Sequence, residues 1–273
     1  MKRVIVSIVV MVLLCGTSYG WDRRAHATVA KIAENHLTPT AKAYLDKYLN
    51  GKSIVYYASY ADDYKNELLV DLGYKPENAK QKVTFPHTFE ANDDCTVFRC
   101  MRKGNKFVKN CVAFADQYAA ELKANHATMN DSLRILKIAM IVHWLGDMHS
   151  PSHIRYPDDQ TIGNYPVIYG GKPLAKYHSL WDGIVFGSLF PWGFSDCALL
   201  LDTYTQEQIA EMTKGNIYDW GKDSAIASRP VHEYKEGAEI DAGDYRNRFA
   251  TLAEEQICKA GYRLAKIFND IFE

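Results

Sequence analysis

The sequence predicts an all-α fold in one mainly helical domain. Apolar residues recur at helical spacing wherever a pattern is visible, and convincing alternating strands are almost absent. No internal repeat, low-complexity tract or Pro/Ser-rich linker divides the 273 residues. A chain of this length, with 47% hydrophobic residues, can bury one large core, so a single domain with long ordered loops is the simplest arrangement.

The first two helices have the clearest limits. The segment 26–37 has the spacing of one helix. A second helix over 40–49 is introduced by Thr38-Pro39 and ended by Asn50-Gly51, because proline suits the first turn of a helix and glycine suits its end. Further helices are predicted over 112–124, 132–149, 177–188, 206–220 and 245–271.

The segments between the helices include two long loops. Residues 66–110 and 154–175 form connections of a length that is commonly functional. Within the second loop, a short hairpin is predicted across 165–169, between Gly163-Asn164 and Gly170-Gly171.

Residues 1–20 have the three-part pattern of a secretory signal peptide. Lys2 and Arg3 precede the apolar run 4–14, and small residues before Trp21 place the cleavage there. The run is shorter than the roughly twenty residues that span a bilayer, and no later run is long enough. We therefore predict a secreted protein without a membrane span, whose mature domain is 21–273. Lipid attachment at Cys15 is the alternative, but Leu14 stands where a small residue is expected.

The charge balance of the mature chain argues against a broad nucleic-acid platform. Loss of Lys2 and Arg3 lowers the 32 basic residues to 30, against 33 acidic residues. A chain with this slight negative charge has no general electrostatic attraction for a polyanion. A polyanionic substrate would therefore need local positive charge, such as a metal cluster.

Cysteine usage predicts disulfides. The mature chain keeps five cysteines, so at least one stays unpaired. Three cysteines lie within seventeen residues, which suggests a loop closed by a disulfide, with a further disulfide to a more distant cysteine. Zinc ligation by this cluster is the alternative, but it lacks a Cys-x-x-Cys spacing, and secretion favours disulfides. The clustered cysteines are Cys95, Cys100 and Cys111, and the candidate partners are Cys197 and Cys258.

The sharpest chemical motif is His143-x-x-x-Asp147-x-x-x-x-x-His153. His143 and Asp147 are four residues apart and share one helix face, which suits two ligands of one metal ion. Pro151 ends the helix at about Ser150, so that His153 returns from outside it toward a neighbouring site. His149 points roughly 240° round the helix from His143 and is interpreted as non-ligating.

Other candidate ligands are spread along the chain. A second pair at the same spacing is His178-x-x-x-Asp182. Asp62 ends an aromatic stretch, and His87 lies among apolar residues that would partly bury it, so that its ring needs a metal or a carboxylate partner. Cleavage before Trp21 would leave a free amine five residues before His26. Each pair alone could be a histidine bonded to a carboxylate, but their combination points to metal binding.

Together these residues resemble the zinc-dependent class I nucleases. These are secreted nucleases and 3'-nucleotidases that prefer single strands and share their fold with bacterial zinc phospholipases C. The resemblance runs over nearly the whole mature chain and rests on nine potential ligands in the same order and spacing. It comprises Trp21 with His26, Tyr60-Ala61-Asp62, His87, the stretch 143–153, the Gly163-Asn164 loop and His178-x-x-Trp181-Asp182.

The resemblance implies a centre of three zinc ions. Asp62, His87, His143 and Asp147 would hold the first ion. Asp147 would bridge to a second, held by His26 and by the amine and carbonyl of Trp21. The third, more exposed ion would be held by His153, His178 and Asp182. The cluster would carry net positive charge where the phosphate binds.

The resemblance also implies a reaction. A water activated between the paired ions would attack phosphorus in line, and the third ion would stabilise the departing 3'-oxygen. The substrates would be single-stranded RNA and DNA and 3'-mononucleotides, and the protein is expected to be a monomer. The candidate catalytic residues are Asp62, Asp147, Lys65 and Glu90.

Lys65 and Glu90 rest on weaker matches. Lys65 matches a position where the family often has a basic residue, which would neutralise phosphate oxygens. Thr88 stands where the family usually has an aromatic residue, and Glu90 where it has an aspartate. The base-stacking side chain is therefore left open among Phe89, Tyr156, Tyr165 and Tyr169.

Two alternatives to a nuclease remain. A phospholipase C of the same fold is opposed by the five-residue step from Trp21 to His26 and by Asp182, where those enzymes carry glutamate. A non-catalytic zinc-binding protein would have the same ligands but a blocked cleft.

Overall fold

The computed structural model describes residues 21–63, 87–103 and 106–273. The predicted signal peptide, Lys65 and part of the 66–110 loop lie outside these residues. The predicted all-α fold is confirmed, because helices dominate and strands are short. The α-helices are α1 (Arg23–Asn35), α2 (Pro39–Tyr48), α3 (Tyr60–Asp63), α4 (Cys111–Asn125), α5 (Asp131–Asp147), α6 (Val185–Leu189), α7 (Phe194–Leu201), α8 (Gln206–Met212), α9 (Ile217–Ser228) and α10 (Ala242–Phe272).

The core is built around α1, α5 and α10. Helix α1 packs against α10 and α7, and α5 packs against α4 and α10. From Leu136 to Asp147 every residue of α5 is buried, so this helix runs through the interior. Side chains at the end of α5 are therefore shielded from water by the surrounding helices.

Two helix ends near the predicted ligands differ from expectation. Helix α1 begins at Arg23 rather than at residue 26, because the Asp22 side chain accepts a hydrogen bond from the backbone N–H of Ala25 at 2.7 Å. Helix α5 ends at Asp147 rather than at residue 149. Ser150 is extended, as expected before a proline, and a 3₁₀ turn follows over Pro151–His153.

Two predicted segments in the second half of the chain were wrong in detail, and one helix was missed. The segment 206–220 is two helices, because Gly215 takes a φ of +83° that ends α8 before α9 begins. The segment 177–188 begins with a π-helical turn over Leu180–Ile184, which then continues as α6. Helix α7 was not predicted.

The strands of the described part form three small sheets. Strand β1 (Phe89–Glu90) pairs in parallel with β4 (Ile154–Arg155), and β2 (Cys100–Lys103) pairs antiparallel with β3 (Lys106–Lys109). The predicted hairpin lies slightly later in the chain, because Gly170-Gly171 form its turn. It joins β5 (Val167–Tyr169) to β6 (Lys172–Leu174), and β7 (Glu239–Ile240) adds to β5 in parallel.

The structure contradicts the predicted disulfides. All five cysteines of the described residues are free thiols. Two of them are bonded locally instead. The Cys258 thiol donates to the Leu201 carbonyl at 3.4 Å, and Cys197 Sγ lies 3.6 Å from the Trp192 carbonyl.

Within the described residues, no single helix has the length and apolar composition to cross a bilayer. One pair, Leu180–Leu189 with Phe194–Leu201, meets the criteria jointly, but it is bent by 75°.

Candidate metal centre

The end of α5 brings predicted ligands from three segments together. His143 Nε2 lies 3.1 Å from Asp147 Oδ2 and 3.9 Å from Asp62 Oδ2. His26, on α1, stacks on the His143 ring with 4.3 Å between centroids. Ligand atoms of His26, Asp62 and His143 all lie within 4.8 Å of one another, which is close enough for them to serve one ion or two neighbouring ions.

A second group forms beside the first. His178 Nε2 lies 3.0 Å from Asp182 Oδ1, and His153 Nε2 lies 3.8 Å from the same oxygen. The rings of His153 and His178 are stacked with their centroids 5.2 Å apart. All three residues are buried, and their ligand atoms also lie within 4.8 Å of one another.

Asp147 lies between the two groups. Its Oδ1 is 3.2 Å from His153 Nδ1 and 3.6 Å from His26 Nε2, while Oδ2 faces His143. One carboxylate thus contacts histidines of both groups. This is the arrangement that a bridging ligand requires.

The buried donor atoms fit metal ions well. Both ring nitrogens of His26 and of His153, and both oxygens of Asp147, are buried and make no hydrogen bond of good geometry within the described part of the chain. Unsatisfied buried polar atoms cost free energy, so they are rare unless something else occupies them. The imidazole nitrogens and carboxylate oxygens are also the donor set that zinc accepts.

The electrostatics of the cluster couple the histidines to the aspartates. Burial alone would lower the pKa of His143, but Asp147 and Asp62 raise it to about 9. Burial and the neighbouring His143 lower the pKa of His26 to about 3. Burial would raise the pKa of Asp147, yet His143 and His153 hold it well below its usual value. Asp147 is therefore an anion, ready to bind a cation.

Backbone carbonyls orient two of the rings. The Nδ1–H of His143 donates to the Ala58 carbonyl at 2.9 Å, and that of His178 donates to the Ile162 carbonyl at 3.0 Å. Each bond leaves Nε2 free to point at a carboxylate and fixes the tautomer that a metal needs. The sequence gives no sign of these carbonyls, because any residue type supplies one.

Gly146 makes room for the His26 ring. A Cβ atom at this position would lie 2.5 Å from Nδ1 of His26. Only glycine therefore allows α5 to approach α1 so closely at the cluster.

We expect Gly146→Ala to displace the His26 ring and to weaken metal binding by the cluster, with about a 100-fold loss of activity for a displacement near 1 Å. Metal analysis, initial rates and a melting curve check this. Gly221→Ala, in α9, is the matched control, because its Cβ would lie 2.9 Å from a Val97 side-chain atom. The explanation fails if both variants keep the same zinc content and activity.

The remaining predicted site residues lie around the cluster. The half-buried His87 ring is 5.0 Å from the His153 ring, centroid to centroid. Trp21 is fully buried against Trp181 and Phe186, directly before α1. Glu90, on β1, is paired in register with Arg155, two residues after His153.

The structure excludes two of the proposed base-stacking residues. Phe89 and Tyr156 are fully buried, and the Tyr156 hydroxyl donates to the Ala225 carbonyl. Tyr165 and Tyr169 are half-buried. His149 donates from Nδ1 to the Leu145 carbonyl, and its Nε2 accepts from Arg263, which agrees with its exclusion as a ligand.

Comparison with known proteins identifies the family. The S1/P1 nuclease family model matches residues 21–273. The chain belongs to the S1/P1 nuclease family. Nuclease S1 of Aspergillus oryzae is 26% identical over 284 residues, which covers 92% of each chain. Nuclease P1 of Penicillium citrinum is 25% identical over 281 residues, which covers 92% of this chain and 97% of that one.

Membership of the S1/P1 nuclease family confirms the resemblance found in the sequence. The match begins at Trp21, the residue that the sequence predicts to follow the signal peptide. The matched range contains the positions of all nine predicted ligands.

Metal binding at this centre should be coupled to proton release. The aspartates that face His143 and His153 raise the pKa values of these histidines from 6.5 to about 9, despite burial. Their protonation stabilises the fold fully below pH 6.5, and this contribution is lost as the pH rises through 9. A metal ion that binds these nitrogens must displace the protons, so its affinity should increase over the same pH range.

Calorimetric titration with zinc at neutral pH, in buffers of different ionisation enthalpy, measures the protons released. We expect at least two per chain, one from each histidine. Binding without proton release would contradict the assignment of these histidines.

Proposed function

We propose that this protein is a secreted zinc-dependent phosphodiesterase, with 21–273 as the mature catalytic domain. It hydrolyses single-stranded RNA and DNA to 5'-phosphorylated products and releases phosphate from 3'-mononucleotides. The observation that carries this proposal is the pair of buried His/Asp groups joined by Asp147, in a chain of the S1/P1 nuclease family.

Three ligand sets would hold zinc. Asp62, His87, His143 and Asp147 form the first set, and Asp147, His26 and the terminal amine and carbonyl of Trp21 form the second. His153, His178 and Asp182 form the third. When bound, zinc at such centres lowers the pKa of a coordinated water and stabilises charge on phosphate oxygens and on the leaving oxygen.

The protein residues supply position and charge rather than a covalent nucleophile. The Ala58 and Ile162 carbonyls fix the rings of His143 and His178, so the two groups keep their spacing before substrate arrives. Glu90 lies on the strand that pairs with the segment after His153, and we propose that it supports this side of the site. Lys65, three residues after Asp62, is proposed to neutralise phosphate charge.

The charge of the chain favours single strands over duplexes. The mature chain has 30 basic and 33 acidic residues, so it has no excess of basic residues for binding a duplex along its length. A flexible strand can bend one phosphate into a local cationic centre, whereas a duplex must first open. The substrate is therefore bound mainly at the metal centre.

The test uses the mature protein with single-stranded and duplex oligonucleotides of the same sequence, and with 3'- and 5'-mononucleotides. We expect single strands to be cleaved to products with 5'-phosphate ends, and only 3'-mononucleotides to release phosphate. Chelation should abolish both activities together, and zinc should restore them together. Products with 3'-phosphate ends would contradict the proposal, as would release of phosphocholine from lipid without nuclease activity.

A further inference from the structure

His153 differs from His143 and His178 in how its ring is held. A backbone carbonyl fixes Nδ1 of His143 and of His178. The nitrogens of His153 face the carboxylates of Asp147 and Asp182, and neither nitrogen makes a hydrogen bond of good geometry within the described residues. Its ring orientation therefore depends on the backbone of the Pro151–His153 turn.

A buried histidine outside the ligand set is hydrogen-bonded to this turn. His232 is 4% exposed, and its Nε2–H donates to the Pro151 carbonyl at 2.9 Å. Its Nδ1–H donates to Asp159 Oδ2 at 2.8 Å. Each ring nitrogen of His232 therefore has an oxygen partner, so the ring connects the Pro151 carbonyl to the Asp159 carboxylate.

Asp159, which bonds to His232, also connects to the segment that holds His178. Its Oδ1 accepts from the Thr161 hydroxyl at 2.8 Å, which anchors the loop just before Ile162. Ile162 has a φ of +48°, a strained conformation for a β-branched residue. Its carbonyl holds the His178 ring. Strained backbone of this kind persists only where its surroundings over-determine it.

We propose that Asp159 and His232 form a positioning pair for the His153–His178–Asp182 group. The pair fixes the Pro151 carbonyl on one side of the group and the Ile162 carbonyl on the other. It sets the distance between the His153 and His178 rings, and therefore the zinc affinity of this group alone. The proposal rests on the proposed function, because it takes this group as a zinc site.

The test measures zinc affinity by competition with a chromophoric chelator. For His232→Gln we expect about a 10-fold weaker affinity at one site per chain, the lower end of the range for outer partners of metal ligands. The other sites should keep their affinity. Asp159→Ala should behave in the same way. Asp159→Asn keeps an acceptor for the His232 ring and should be milder.

Two controls separate positioning from general stability. His36→Gln breaks another His–Asp pair, with Nε2 2.8 Å from Asp202 Oδ1, at the end of α1 away from the cluster. It should lower the melting temperature without changing zinc affinity. In a His178→Ala background, which lacks a ligand of the same group, His232→Gln should have no further effect on the remaining zinc.

The outcomes are distinct. If His232→Gln and Asp159→Ala both leave every zinc affinity unchanged, or weaken all sites equally, the positioning pair is wrong. The positioning pair is also wrong if His36→Gln weakens the zinc affinity as much as His232→Gln does. If the unsubstituted protein binds no zinc, the proposed function itself has failed.

Discussion

Asp147→Asn is expected to remove more than one zinc ion per chain and to lower hydrolysis by roughly 1,000-fold or more. The Asp147 carboxylate lies 3.1 Å from His143 and 3.2 Å from His153, so its loss affects both groups at once. The expected size follows because metal ions contribute several kcal/mol to such reactions and each 1.4 kcal/mol is a factor of ten.

Two comparison variants isolate the bridging role. His178→Ala removes a ligand of one group only and should cost about one zinc ion. Asp202→Asn removes an aspartate that accepts from Tyr262 far from the cluster, and it should leave zinc content unchanged. Metal analysis after dialysis and initial rates give both readouts. Equal losses of zinc and activity in Asp147→Asn and His178→Ala would rule out the bridge.

The second large effect is expected from one extra residue before Trp21. We propose the free amine of Trp21 as a zinc ligand, and a peptide bond at this nitrogen removes its ligating lone pair. Trp21 is fully buried directly before the helix that carries His26, so the terminus has little freedom to move aside. Activity should fall by about 100-fold or more, the loss expected when a metal-ligand contribution of several kcal/mol is removed.

The comparison needs two preparations, one that starts at Trp21 and one with a glycine before it. An extra glycine after the exposed Glu273 is the matched control and should change nothing. Zinc content and rates are measured on all three proteins. Full activity with the leading glycine would show that the amine is not a ligand.

The sequence predicted those parts of the site that depend on helical spacing. His143 with Asp147, and His178 with Asp182, are four residues apart, and both pairs meet in the structure. Pro151 predicted the turn that brings His153 back to the cluster. These patterns are local, so they can be read without knowing what packs against them.

Features that depend on tertiary contacts were not predictable. His232 lies 81 residues after Pro151, and a lone histidine in Arg-Pro-Val-His-Glu carries no sign of that partner. The break at Gly215 was missed because apolar spacing continues on both sides of it. Phe89 was proposed to stack bases, but its position on a strand against β4 buries it completely.

Zinc stoichiometry, measured on the same sample as phosphate release from a 3'-mononucleotide, tests the central claim most directly. We predict three zinc ions per chain, loss of phosphate release as a chelator removes them, and recovery when zinc is returned. Phosphate release that persists after all zinc is gone would contradict the account, as would a fully zinc-loaded protein that leaves both 3'-mononucleotides and single strands intact.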